Sequence, residues 1–183
     1  MAEPKTPPNH YVNNAEFLAA LLDYKAQVQK AKDAGLDIPP ISNYIGDCFI
    51  KIATHLSYKS NFINYSFKDD MISDGIENCL TAVAKFDPSK SSNPFAYYTQ
   101  IIYFAFIRRI QKEKKQLYIK YKSTEHIGVL DEGMLFETAD GQTKQFEMYD
   151  NISEFIENYE DSRAAKKAEK EAKKKPEGVE RFL

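Results

Sequence analysis

Lys68–Asp87 reads KDDMISDGIENCLTAVAKFD, and its spacing decides the fold class. Ile72, Ile76, Cys79, Leu80 and Val83 recur at i, i+4, i+7, i+8 and i+11, a single stripe of an α-helix. Asp69 and Asp70 stand where carboxylates favour a helix start, and Asp87-Pro88 ends the run. The face away from the stripe carries Asp70, Asp74, Glu77 and Asn78. After the loop FDPSKSSNP comes a longer helical run, Phe95–Lys122, FAYYTQIIYFAFIRRIQKEKKQLYIKYK. It is apolar to Phe106 and basic from Arg108.

Upstream, two further helices are expected. Asn13 with Glu16 three residues later forms a capping box, and the helix should run to about Ala34. It should bury Phe17, Leu18, Leu21, Leu22 and Val28, with Gly35 at C′ and Pro39-Pro40 blocking continuation. A second helix from Ser42 to about Tyr58 carries the stripe Ile41, Ile45, Cys48, Phe49, Ile52, Ala53 and Leu56, with His55 at its boundary. Phe62, Tyr65 and Phe67 read as anchors of the connecting loop.

Pro94 suits the first turn of the long helix, with Ser92 or Asn93 as its cap. Phe95, Tyr98, Ile101, Ile102, Ala105 and Phe106 give it a core face, yet Tyr103, Phe104 and Ile107 fall outside that face. Such a helix is either sandwiched in the bundle or presents aromatics to a partner.

From Ser123 to Tyr149 periodicity is lost, and Gly128, Gly133 and Gly141 argue for irregular structure or a hairpin. Asn151 is placed to cap a short helix with Ile152, Phe155, Ile156 and Tyr159 on one side. The tail from Ser162 is either a solvated helix or a flexible linker. The chain thus reads as all-α: a disordered lead-in over 1–10 and a compact helical bundle over 11–122. An acidic irregular segment with a short helix follows over 123–162, then a basic linker over 163–183.

The net charge of −2 hides segregation. Arg108–Lys122 holds seven Lys/Arg against Glu113 alone, Glu125–Asp161 eleven Asp/Glu against Lys144, and Arg163–Lys175 seven Lys/Arg against Glu169 and Glu171. Whole-chain charge is therefore a poor guide to partners. No apolar run approaches the roughly 20 residues needed to span a bilayer, and the polar N-terminus lacks a signal-peptide pattern, so the cytoplasm is expected. Cys48 and Cys79, single and widely spaced on apolar stripes, read as buried thiols rather than a disulfide or a metal site. Without a Gly-rich phosphate loop, H-E-x-x-H or G-x-S-x-G, neither enzyme chemistry nor a cofactor or small-molecule substrate is indicated.

The segment from Asp70 resembles the polymerase-binding helix in the conserved second region of bacterial sigma factors. The matching positions are Asp70, Met71-Ile72, Ser73, Asp74-Gly75, Leu80, Ala82-Val83, Lys85, Phe86 and Asp87, without a gap. FAYYTQIIYFAFIRRI is similar to that family's melting and promoter-reading helix through Phe95, Tyr98, Ile107 and Arg109. The likeness covers roughly residues 41–115. The length leaves no room for the family's later regions, and the whole looks like the late-transcription sigma factors of T-even-like phages.

The resemblance implies a non-catalytic factor of the host bacterial cytoplasm with three partners. Asp70, Ser73, Asp74, Glu77 and Asn78 would meet an arginine-rich coiled coil in the largest subunit of host RNA polymerase core. Tyr97, Tyr98, Gln100, Tyr103, Arg108, Arg109, Lys112 and Lys115 would meet an A/T-rich late promoter, the basic residues on phosphates and the aromatics either on unpaired bases or in the core. Val179, Phe182 and Leu183 would dock the DNA sliding clamp. Ile101-Ile102 stands where primary sigma factors carry a Trp pair that wedges the duplex open.

Overall fold

The computed structural model describes residues 11–126 and 145–174. Those residues form five α-helices: α1 (Asn14–Asp33), α2 (Asn43–Ser57), α3 (Lys68–Val83), α4 (Pro94–His126) and α5 (Gln145–Lys174). No strand occurs among them, so the fold is all-α. The chain divides into two units, Met1–Gln111 and Lys112–Leu183, with the boundary inside α4.

In the first unit each helix start has a local cause. Asn13 caps α1 as expected: its Oδ1 accepts from the backbone N–H of Ala15 at 3.1 Å, while its side-chain amide, in place of the backbone N–H of a capping box, donates to Glu16 at 2.9 Å. Gly35 closes α1 with φ +67°, a left-handed conformation that glycine adopts without a Cβ penalty. Ser42 caps α2. α3 has no side-chain cap, and Asp69 and Asp70 in its first turn place negative charge at the positive end of its dipole. At α4, Asn93 accepts from Ala96 N–H at 3.0 Å, and Asn14 of α1 accepts from Phe95 N–H at 3.1 Å. The start of α1 therefore helps to cap the start of α4.

α2 packs against both α1 and α3. Its stripe is as expected: Ile45, Cys48, Phe49, Ile52, Ala53 and Leu56 are buried, and Ile41 packs on them half-buried. Tyr98 stands at the centre, its ring 4.7 Å from that of Phe49, 5.5 Å from Phe17 and 5.8 Å from Phe86. Such tilted rings 4.5–7 Å apart each add about 0.5–1.5 kcal/mol beyond area burial. Phe62 anchors the connecting loop as expected, edge-on to Phe106. Cys48 and Cys79 are buried free thiols, and burial pushes that of Cys79 up to about 12.

Two stripes are corrected. On α1, Leu22 is exposed rather than buried. On α3 the buried set is Met71, Gly75, Cys79 and Val83; Ile72 and Ile76 are half-buried and Leu80 is exposed. The core axis lies about one residue away from the expected stripe because Gly75 sits under α4. A Cβ there would meet Ile102 Cγ2 at 3.0 Å and Phe106 Cε1 at 3.2 Å. Counting apolar residues cannot see a contact made by having no side chain.

The second unit contains the end of α4 and all of α5. α4 runs to His126, beyond the expected Lys122. α5 is not a short helix beginning at Asn151: it starts at Gln145 and continues through the tail to Lys174, 30 residues in all. Asn151 lies inside it, exposed. The tail sequence, rich in Ala, Lys and Glu, has the propensity to propagate a helix without packing. Ile152 and Ile156 are buried, with Phe155 and Tyr159 half-buried on the same side. Tyr159 stacks on Tyr118 of α4 with centroids 4.4 Å apart, and Phe155 meets Tyr121 edge-on. The lead-in over 1–10, the stretch around Gly128, Gly133 and Gly141, and the C-terminal Val179, Phe182 and Leu183 lie outside the described residues.

Candidate functional site

The polar edge of α3 faces α4, not open solvent alone. Asp70 and Asp74 lie one turn apart, and both reach Arg109. Arg109 Nη2 is 3.4 Å from Asp70 Oδ1, and its Nε is 2.9 Å from Asp74 Oδ2. Nη2 also donates to Asp74 Oδ1 at 3.4 Å. One turn further along, Arg108 Nη2 donates to Asn78 Oδ1 at 2.8 Å. The Asn78 amide in turn donates to the Asp74 carbonyl at 2.7 Å. The ladder Asp70–Asp74–Asn78 on α3 is therefore matched to the adjacent pair Arg108-Arg109 on α4.

Asp70 and Asp74 on the one side and Arg109 on the other, expected to meet different macromolecules, meet each other in this structure. Arg109 is only 14% exposed, and its guanidinium lies against two α3 carboxylates. Charge-assisted pairs of this kind are stronger than neutral hydrogen bonds, and partial burial shields this one from salt. Arg108 is exposed and bonded to a neutral amide, so its charge remains uncompensated by that contact. Of the remaining α3 candidates, Ser73 and Glu77 are exposed. Ser73 donates to the Asp69 carbonyl one turn back and contributes shape more than charge.

The aromatic candidates separate cleanly. Tyr98 is fully buried, so it is a core residue and no surface for stacking. Burial raises the pKa of its hydroxyl, which has no hydrogen-bond partner among the described residues. Tyr97 is half-buried against Phe86 and Tyr98. Tyr103 is 39% exposed, Phe104 49%, and their rings meet edge-on at 5.7 Å. Gln100 is exposed. Ile102 is buried under Gly75, which leaves Ile101 alone of that pair at the surface, half-buried.

A cleft of about 390 Å³ opens between α3 and α4. Glu77, Asn78, Thr81, Ala82 and Lys85 line one wall, Ile101, Phe104 and Arg108 the other. Thr81 and Lys85 were not singled out as contacts by sequence reasoning. The i, i+4, i+8 spacing of Glu77, Thr81 and Lys85 was readable, but nothing in the sequence told which side of α4 they would meet. The lining is mixed: Ala82, Ile101 and Phe104 are apolar, while Glu77, Lys85 and Arg108 bring a carboxylate, an ammonium and a guanidinium.

Lys112 and Lys115, in the second unit, are exposed. Also in that unit, Tyr118 donates to Glu160 at 2.7 Å, which raises the phenol pKa and lowers that of the carboxyl. Lys122 lies 3.0 Å from Glu125 and 3.5 Å from Glu160, and its pKa is raised chiefly by the hydrogen bond with Glu125. Among the described residues no group of three or more His, Cys, Asp or Glu is placed to hold a metal ion, and no helix is long and apolar enough to cross a membrane. His55 is exposed on α2 and stacks on Tyr11 at 3.9 Å. No protein-family model matches the chain, and no curated protein matches it.

Proposed function

We propose that the chain is a minimal sigma factor of the phage late-transcription type. In this reading it binds host RNA polymerase core through α3 and directs it to an A/T-rich promoter. The sliding clamp activates it through Val179, Phe182 and Leu183. The polymerase supplies the chemistry; this chain supplies recognition. The observation that carries the reading is the joint face of α3 and α4. Exposed Ser73 and Glu77 flank the clasped Asp70 and Asp74, while Tyr103, Phe104 and Arg108 stand exposed on the neighbouring helix. Carboxylates on a rigid helix suit arginine forks of a coiled coil. Exposed aromatics beside a guanidinium suit unpaired bases and their phosphates. With Arg109 clasped, the DNA-directed set is Gln100, Tyr103 and Arg108, with Lys112 and Lys115 further along α4.

Run-off transcription with host core polymerase on an A/T-rich promoter, with and without clamp, tests this reading. Specific transcripts that require the chain are expected, and their number should rise with clamp. A second reading, a polymerase-binding coactivator that reads no DNA, is favoured by one observation: Arg109 is engaged by α3. Retention of promoter DNA by the chain-bound polymerase separates the two, since a coactivator of that kind would add none.

A further inference from the structure

The basic half of α5 has an organisation that the proposed function does not use. At 100° per residue, Arg163, Lys166, Lys167, Lys170 and Lys173 fall within an arc of about 120° on one side of the helix. Ala164, Ala165, Ala168 and Ala172 occupy the opposite side, and Glu169 and Glu171 stand at the two borders. Every residue from Arg163 to Lys173 is exposed. The ion pairs in this stretch are Lys167 with Glu171 at 4.0 Å and Lys173 with Glu169 at 2.6 Å, and they leave those lysines 79% and 74% exposed. Arg163, Lys166 and Lys170 form no hydrogen bond or ion pair with the described residues. A solvated helix needs no sorting of this kind: charges dispersed around it would serve solubility equally well.

We infer that this stripe is a binding surface for the phosphate backbone of duplex DNA, without base preference. Three observations select that occupant. The alanine side has no bulky apolar residue, whereas a helix lying on a membrane needs Leu, Phe or Trp opposite its charges. Four of the five cations are lysines, point charges that tolerate any register along a polyanion; recognition of defined carboxylates on a protein favours bidentate arginine. The stripe spans about 15 Å at 1.5 Å per residue, enough to meet two or three successive phosphates. The surface lies on a different helix from the α3–α4 face, and the inference stands without the sigma-factor reading.

The test uses the full-length chain and a fluorescent duplex of random sequence, with no polymerase. Anisotropy titrations between about 50 and 200 mM salt should give a slope of log K on log [salt] that is shallower by about 2–3 in the Lys166→Gln/Lys167→Gln/Lys170→Gln variant. Affinity at the low-salt end should fall at least about tenfold. Gln keeps helix propensity, and far-UV circular dichroism should match the parent. Ala164→Gln/Ala168→Gln, on the other side, should bind as the parent does. Equal affinity and slope in the triple variant would overturn the inference. So would a parent chain that prefers poly-glutamate or anionic phosphatidylglycerol vesicles to the duplex and loses that preference on triple substitution.

Discussion

Arg109 and Asp74, thirty-five residues apart in sequence, lie 2.9 Å apart across the α3–α4 interface. Asp70 shares the same guanidinium. A carboxylate that also recognises a partner must then either offer its remaining lone pairs or exchange one arginine for another. The pair is consequently both a fold contact and a candidate recognition contact, and single substitutions confound the two.

A charge swap separates them. Asp74→Asn and Arg109→Gln should each lower stability by about 1–3 kcal/mol, because each leaves a partly buried group poorly paired. Asp74→Arg/Arg109→Asp should recover much of that stability, with the guanidinium now carried by α3 also in reach of Asp70. If α3 is the polymerase contact, the swapped protein is folded yet no longer retained by core polymerase in a pull-down. A stable swap with undiminished retention would remove Asp74 from the interface.

Gly75→Ala should destabilise the chain by about 1–2 kcal/mol, although alanine is the better helix former by about 1 kcal/mol. The new methyl would meet Ile102 and Phe106, both fully buried and unable to yield freely. In an Ile102→Ala background the same change should become neutral or stabilising. Urea denaturation of the four proteins measures the coupling, and additivity would sink the explanation.

Tyr98→Phe should be neutral or stabilise by about 1 kcal/mol, since the buried hydroxyl has no partner among the described residues. It should leave DNA binding intact. Tyr103→Ala, at a ring 39% exposed and edge-on to Phe62, should cost about 1 kcal/mol of stability and weaken binding of single-stranded promoter DNA by about 1–3 kcal/mol in filter binding. The opposite pattern would return Tyr98 to the binding surface.

Alkaline pH should unfold the first unit through Cys79 and Tyr98. Burial raises both pKa values, that of Cys79 to about 12, so the folded state keeps protons that the unfolded chain releases. The resulting stability is fully present below about pH 8.5 and is lost as pH rises through and beyond about 10. Cys79→Ala/Tyr98→Phe should show a flatter dependence in urea titrations over that window. Parallel losses in parent and variant would assign the effect to other groups.

The parts legible in the sequence were those that depend on neighbours in the chain. The Asn13 cap with its Glu16 partner, the start of α2 at Ser42 and the stripe of α2 follow from spacing within one turn or a few. The errors share another cause. Placing the α3 stripe required knowing that Gly75 lies under Ile102, and striking Tyr98, already on the expected core face, from the stacking candidates required knowing that α4 crosses Phe17 and Phe49. Likewise, the charges of Asp70 and Asp74 were visible, but their shared partner on α4 was not. Each is a property of two helices, and periodicity describes one at a time. The length of α5 was missed for a different reason: its tail has no apolar stripe, so only propensity indicated helix.

The two thiols have a practical consequence. Cys48 and Cys79 are the only cysteines in the chain, both are buried, and burial holds both as the unreactive protonated form. A cysteine introduced at Glu77, on the exposed edge of α3, or at Lys170, on the stripe of α5, is then the group that a maleimide reaches first. A single environment-sensitive dye can report the covering of either surface while both native cysteines stay in place.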